Sequence, residues 1–461
     1  MKRSLRIAAL AWAVPFAIGA AQAQLASSQV SGGGSSAKSD KDSSSAIAKI
    51  SQFKPIIIQN IRPTDTRGIN VFEAPKDNGV AYTGFKLDWG TGFQQEFQGL
   101  QHSNLATAVV VGGVNTNQLM TIGKGFNTAT ANLYLNAQVA QGIRLSMTSY
   151  LSARHHNESW VKDGYALIDA SPIDLPIFNK IMKYTTIKVG HFEINYGDQH
   201  FRRSDNGQAF FNPFVGNLMT DAFTTEIGGE VYVRNNGYMG MLSITGGEIG
   251  GSVVSPASRA PSFIGKLGFD KQLTQNLRVR LTGSGYHKDK SASNTLFTGD
   301  RGGSHYFLVM ENTAATTTAN AWSGELRPSF GRRVNAFMVN PFVKFHGLEL
   351  LGTAETATGK SATETRYHTW RQWAGETVYR FGENEKFFGA YRYNVVSGRL
   401  AMTMPGDVNA NRFQTSAGWY LNPMMLIKAE YMRQRYYGFP TNDIRYGGRI
   451  HGFMVETALS F

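Results

Sequence analysis

From Val80 to Phe461 hydrophobic and polar residues alternate, segment after segment, with turn residues between the segments. In Thr130 to Val139, one face holds Asn132, Tyr134, Asn136 and Gln138, and the other Leu133, Leu135, Ala137 and Val139. After Gln141-Gly142 the pattern resumes, with Ile143, Leu145, Met147 and Leu151 against Arg144, Ser146, Thr148, Tyr150, Ser152 and Arg154. Leu277, Val279 and Leu281 oppose Arg278, Arg280, Thr282 and Ser284 in the same way. A period of two is the signature of a pleated strand whose two faces meet different surroundings.

A soluble sandwich also alternates, so length and turns decide between the two. The segments run to about 10–13 residues, close to the ~9–11 that a tilted strand needs to cross a bilayer. Short turns (Gln141-Gly142, Asn235-Asn236-Gly237, Leu273 to Asn276, Gly382 to Glu385, Asn422-Pro423) take turns with longer polar connections such as Glu248 to Ala260, Asp289 to Gly302, Ala401 to Val408 and Gly438 to Gly448. That asymmetry belongs to outer-membrane barrels. Lipid offers the backbone no hydrogen-bond partner, so such a sheet must close on itself. Aromatic residues gather beside the short turns (Tyr379, Phe381, Phe387, Phe388, Trp419, Tyr420), where an interfacial girdle belongs. In the last segment Phe453, Val455, Thr457, Leu459 and Phe461 alternate with Gly452, Met454, Glu456, Ala458 and Ser460. A final strand ending on an aromatic resembles the C-terminal signature of bacterial outer-membrane barrels, with Phe461 as the signal to the barrel-assembly machinery. The expected fold class is all-β, a transmembrane antiparallel β-barrel. The tally reaches eighteen segments, 303–311 and 320–330 among them, and the weakly patterned stretch 312–356 leaves room for one hairpin fewer, hence 16 or 18 strands. A barrel of that size is expected to enclose an aqueous channel.

The N-terminus sets the compartment. Lys2, Arg3 and Arg6 precede an apolar run, Ile7 to Ala20, and Ala21-Gln22-Ala23 forms a small-x-small cleavage site, so residues 1–23 read as a signal peptide. Residues 24–79 read as a flexible Ser/Gly-rich and periplasmic lead-in, and 80–461 as the barrel. The expected location is the outer membrane of a Gram-negative type of cell.

Composition narrows the function. The chain of 461 residues has a formal charge of +13 and no cysteine, which removes disulfides and thiolate metal sites. Export and the absence of any run of five basic residues argue against nucleic acid, so the basicity points to small anions, lipid headgroups or polyanionic surfaces.

Two stretches carry a family resemblance. Gly418-Trp419-Tyr420-Leu421-Asn422-Pro423, followed by Leu426-Ile427-Lys428-Ala429-Glu430-Tyr431, resembles the penultimate hairpin of the phosphate-selective porin O/P family. Ile187-Lys188-Val189-Gly190-His191-Phe192 with Tyr196-Gly197 is similar to that family's strand before its pore-constricting loop. The resemblance implies a 16-stranded trimeric porin that passes small solutes passively, some members preferring phosphate or other anions. None of the family's ligand residues is carried over.

The polar wall supports an anion preference. It holds Arg144, Arg154, Lys188, Arg234, Lys266, Arg278, Arg280, Lys288, Arg392, Arg412 and Lys428 against Glu226, Glu230, Asp270, Glu376, Glu430 and Glu456. Basic residues along a pore raise its potential for anions. The thirty-residue connection Ile194 to Phe223 carries His200, Arg202, Arg203 and five phenylalanines, unusual for an exposed loop. It is expected to fold into the lumen and narrow it, with Arg202, Arg203 and His200 at the constriction. An outer loop packed at a trimer interface is the other reading of it.

The remaining motifs are weak. His155-His156 point to opposite faces of a strand, Asn157-Glu158-Ser159 is a glycosylation triplet of no meaning in such a membrane, and Gly123 to Asn127 lacks the ending of a phosphate loop. No G-x-S-x-G elbow or Ser/His cluster supports an enzyme, and no cofactor is expected. The alternative function is a gated outer-membrane transporter, or a polysaccharide exporter with a basic lumen.

Overall fold

The alternating segments become sixteen strands: β1 (Lys86–Ser103), β2 (Gly125–Ala140), β3 (Ile143–Ser152), β4 (Ser159–Ile168), β5 (Thr185–Glu193), β6 (Thr225–Asn235), β7 (Tyr238–Thr245), β8 (Ser262–Gln272), β9 (Leu277–Lys288), β10 (Arg333–Phe345), β11 (Leu348–Lys360), β12 (His368–Phe381), β13 (Phe387–Gly398), β14 (Val408–Asn422), β15 (Met425–Tyr437) and β16 (Arg449–Ser460). Each pairs antiparallel with its neighbours in sequence, and β1 closes on β16, with Glu96 opposite Glu456 and Gly92 opposite Ser460. This computed structural model describes residues 58, 60–74, 76, 82–152, 159–171, 173–247, 259–291, 293–298, 304–320 and 323–461, all within the unit Ile56–Phe461. The signal-peptide reading, most of the lead-in, Arg154 and the His155-His156 pair lie outside the described residues.

The burial pattern is inside out. Along β13 to β16 the buried, inward positions include Arg392, Asn394, Arg412, Gln414, Lys428, Glu430, Gln434 and Glu456 beside apolar residues such as Leu426, Met432 and Met454, while Tyr391, Tyr393, Trp419, Ile427, Tyr431 and Phe453 face outward and exposed. Leu242, Leu267 and Trp373 are 74%, 71% and 59% exposed. So wide an apolar surface on every strand suits a hydrocarbon environment, not water. At the short-turn rim Tyr379, Phe381, Phe387 and Trp419 stack in a row, and Trp89 meets Phe461 edge-on at 5.7 Å.

Turn chemistry fixes the hairpins. Asn236 and Gly237 hold φ values of 49° and 79°, the left-handed pair that a two-residue hairpin turn requires. One connection on this rim is longer: residues 169–184 carry a short helix, α1 (Pro176–Met182), which the period-two reading gave no sign of.

Of the two counts that the sequence left open, the structure has sixteen. β9 pairs directly with β10, so 289–332 is a single connection and neither 303–311 nor 320–330 is a barrel strand. His305, Leu308 and Met310 hold φ values of 59°, 55° and 56°, which an extended strand cannot accommodate.

Candidate functional site

Three inward segments fill much of the lumen, and the wall's polar residues hold them. The connection 194–223 folds inside the barrel. Its backbone N–H groups donate to wall side chains: Gly197 to Ser284 (3.0 Å), Asp198 to Asn340 (2.9 Å), Val215 to Glu430 (2.8 Å) and Met219 to Asn394 (2.8 Å). Its carbonyls accept in turn: Gly216 from Arg392 (2.7 Å), Asn217 from Arg412 (2.7 Å), and Ala209, Asn212 and Phe214 from the single ammonium of Lys428 (3.1, 2.9 and 2.7 Å). A buried irregular backbone needs such partners for every peptide group. The loop's aromatic rings supply the apolar part, Phe210 and Phe214 packing with Val378, Phe388, Tyr420 and Leu426.

The connection after β9 also turns inward. Tyr306 donates its hydroxyl to Glu430 (2.6 Å), Phe307 N–H donates to Gln98 (2.7 Å), and Gly324 O accepts from Gln434 (2.8 Å) and Arg412 (3.1 Å).

The third insert is the lead-in itself. Asp65 caps a turn at Thr66–Gly68, and Thr66 N–H donates to Pro423 O on the short-turn rim. Gly68 has no room for a side chain, since a Cβ would lie 2.1 Å from Pro63 O and 2.7 Å from the Phe211 ring. Phe72 is buried edge-on against Phe201 and Phe342. Glu73 lies 2.9 Å from Lys266 and 2.7 Å from Arg280, and both cations also hold Asp198 at 2.8 Å. Burial would raise the Glu73 carboxyl, but the Lys266 and Arg280 charges outweigh it and hold it well below its usual 4.5. Asp198 is lowered by the same two cations against the same burial.

The expected aqueous lumen is thereby narrowed to the space that the inserts leave. Much of the wall of β8 to β16 is held against chain, and a cavity of about 270 Å³ lies along β2 to β6, bounded by the lead-in and the 194–223 loop. Arg62, Arg144, Lys162, Lys188, Arg203 and Arg234 line it, against Glu73, Asp163, Asp169, Glu193 and Asp205. The wall count of eleven bases to six acids omitted Glu96, Asp163, Glu193, Glu349 and Glu355 on the strands themselves, as well as the acids that the inserts bring in.

The named residues divide sharply. Arg144 pairs with Asp169, and Lys188 lies 3.5 Å from Glu230. Arg278 pairs with Asp270 at 2.6 Å, and Arg392 with Glu376 at 2.9 Å. Arg280, Arg412 and Lys428 hold inserts, as described above. Arg203 borders the cavity but is clamped by Asp221 at 2.6 Å, and Arg202 lies behind it, buried 3.2 Å from Glu349. His200 reaches Glu193 at 2.6 Å and Asn195 at 3.1 Å. Burial pushes its imidazole below the usual 6.5, with Glu193 only partly opposing.

Two cavity cations stand apart. Arg62 donates to the Gly68 and Phe201 carbonyls, and its guanidinium sits 3.5 Å over the Phe211 ring. Burial draws it down to about 9, so it stays charged at neutral pH. Arg234 donates to Ala74 O (2.8 Å), lies 4.8 Å over the Tyr232 ring, and its Nε has no acceptor. Among the described residues neither has a carboxylate within ion-pair distance. Arg234 was legible as a wall residue; Arg62 was not, because the lead-in gave no sign of entering the barrel.

No family model matches the chain, and no curated protein does. Solved structures do. An anion-selective porin from Comamonas acidovorans is similar at a TM-score of 0.50 and 9% identity, covering 82% of this chain and 100% of that one. OmpF of Salmonella typhi in complex with daunomycin gives a TM-score of 0.47 at 13% identity over 82% and 98% of the two chains. In-vitro folded OmpT, an outer membrane protein of Vibrio cholerae, gives 0.47 at 11% over 84% and 100%. Outer-membrane porins are thus structural neighbours of this chain, and what it shares with the first of them is the closed barrel fold.

Proposed function

We propose that the protein is an outer-membrane channel that passes small hydrophilic solutes by passive diffusion with a preference for anions, phosphate-type anions included. The observation that carries this reading is the pair Arg62 and Arg234, cations on the cavity described above, with no carboxylate at ion-pair distance among the described residues. Most other basic side chains on the wall are paired or hold loop carbonyls. The potential along the path therefore rests on a few residues rather than on the whole wall. The constriction is the 194–223 loop, with His200 and Arg203 at its cavity edge. The apolar belt is the lipid contact, and three copies per assembly complete the proposal.

Reversal potential in a planar bilayer under a chloride-salt gradient tests it. The wild-type channel is expected to favour chloride over the cation, and Arg62→Ala with Arg234→Ala to move the ratio toward unity while conductance persists. An unchanged ratio overturns the anion reading, and a folded barrel with no conductance overturns passive diffusion. Phosphate added to a conducting channel is expected to reduce the chloride current. Light scattering in detergent checks the trimer.

A specific observation favours a second reading, a gated transporter. The lead-in occupies the lumen and is held by the buried ion pairs of Glu73. If it is a gate, conductance rises severalfold when residues 25–76 are removed.

A further inference from the structure

The seam that closes the barrel holds two carboxylates face to face. Glu96 of β1 and Glu456 of β16 are register partners, both fully buried. Like charges directly opposite on a sheet repel, and burial removes the water that would screen them. His305, from the inward connection after β9, completes the group, its Nδ1 2.5 Å from Glu96 Oε1. One ligand atom from each of the three lies within 4.8 Å of the others.

The nearest cation meets Glu456 as a charge but not as a hydrogen-bond donor. Lys428 Nζ lies 2.8 Å from Glu456 Oε1, yet its ammonium has three protons and donates to three loop carbonyls, those of Ala209, Asn212 and Phe214. Both Glu456 oxygens consequently lack a hydrogen-bond donor although the side chain is completely buried. Gln94, also buried, donates to Glu96 at 3.0 Å, and its own Oε1 finds no partner. A half turn of that amide would present an oxygen to the same point.

We propose that Glu96, Glu456 and His305 bind one divalent transition-metal ion of the zinc type, with Gln94 Oε1 as a fourth donor. One imidazole nitrogen with carboxylate oxygens is a donor set that Zn²⁺ accepts, at bond lengths of roughly 2.0–2.2 Å. Its positive charge removes the repulsion between the two glutamates. The ion ties three chain segments together, the first strand, the last strand and the inward loop, so the site is a clasp on the seam and on the lumen plug.

The test uses the full folded chain in detergent, stripped of metal by a chelator and titrated with Co²⁺ and then Zn²⁺. One Co²⁺ per chain with tetrahedral visible absorption bands, displaced by Zn²⁺, is expected. His305→Ala and Glu456→Gln each weaken binding by at least about tenfold, in line with what lost metal-site contacts cost. His155→Ala with His156→Ala leaves it intact. Folding of each variant is checked by its heat-modifiable migration on a gel. A wild-type chain that takes up no stoichiometric metal overturns the proposal without recourse to any variant. So does binding that survives both His305→Ala and Glu456→Gln.

Discussion

Lys428 shows how little a side chain's charge says about its role. Its position on the polar face was legible from the alternation Leu426-Ile427-Lys428-Ala429-Glu430. Its three carbonyl partners come from a loop more than two hundred residues away. Lys428→Met is expected to leave those carbonyls and Glu456 without their cation, at a cost of about 3–5 kcal/mol, because a broken buried pair strands its partner. The midpoint of urea unfolding measures it; an unchanged midpoint contradicts the assignment. Two titratable residues of the inserts, His200 and Glu73, predict a two-step response to acid. His200 has a folded pKa below its usual 6.5, so its contribution is intact above that value and falls away as pH drops below it. Glu73, held well below 4.5, stabilises its seat above the ordinary carboxylate range and loses that contribution only as pH falls through the depressed value. Protease cleavage of the 194–223 loop is expected to increase first, below about pH 6.5, and cleavage of the lead-in only in much stronger acid. Simultaneous release at neutral pH would contradict both assignments.

At the scale of elements, strands were readable and inserts were not. A strand's two faces differ in every other residue, so β2, β9 and β16 declare themselves locally. The stretch 303–330 also mixes apolar and polar residues, and its apolar members Tyr306, Val309, Met310 and Leu326 are indeed buried. They are buried in the lumen, on backbone that turns through left-handed positions and bonds to wall side chains instead of to a neighbouring strand. The five phenylalanines of 194–223 announced that loop's inward fold because exposed rings are costly. The lead-in had no such density of rings; among its described residues the buried ring is that of Phe72. Phe72→Ala is expected to remove about 3 kcal/mol or more of anchoring. Fluorescence of a probe attached in the lead-in would report its release, and unchanged burial of the probe would show that the ion pairs suffice without the ring.

At the scale of the whole molecule, the inserts decide selectivity. The wall's bases are closely matched by acids on the same strands, Glu96, Asp163, Glu193, Glu349 and Glu355 among them, and Glu73, Asp198, Asp205 and Asp221 arrive with the loops to pair several that remain. A modest anion preference is therefore expected, and it should weaken when the lead-in is deleted, since Arg62 goes with it while Lys266 and Arg280 remain paired with Asp198. Reversal potential before and after deletion of residues 25–76 checks this, and an unchanged or stronger anion preference would place the dominant cation on the wall rather than in the lead-in.

By itself the sequence determined the class of fold, the inward and outward faces of the strands and the sense of the hairpins, because alternation and turn chemistry are local properties of the chain. Only the tertiary structure decided the strand count, the path of the lead-in and which cations remain available to a solute. Those depend on which distant carbonyl or carboxylate meets each side chain. Arg392, paired with Glu376 and bonded to Gly216 O, and Arg234, with an Nε that has no acceptor, read alike as lumen bases in the sequence, and only their distant partners tell them apart.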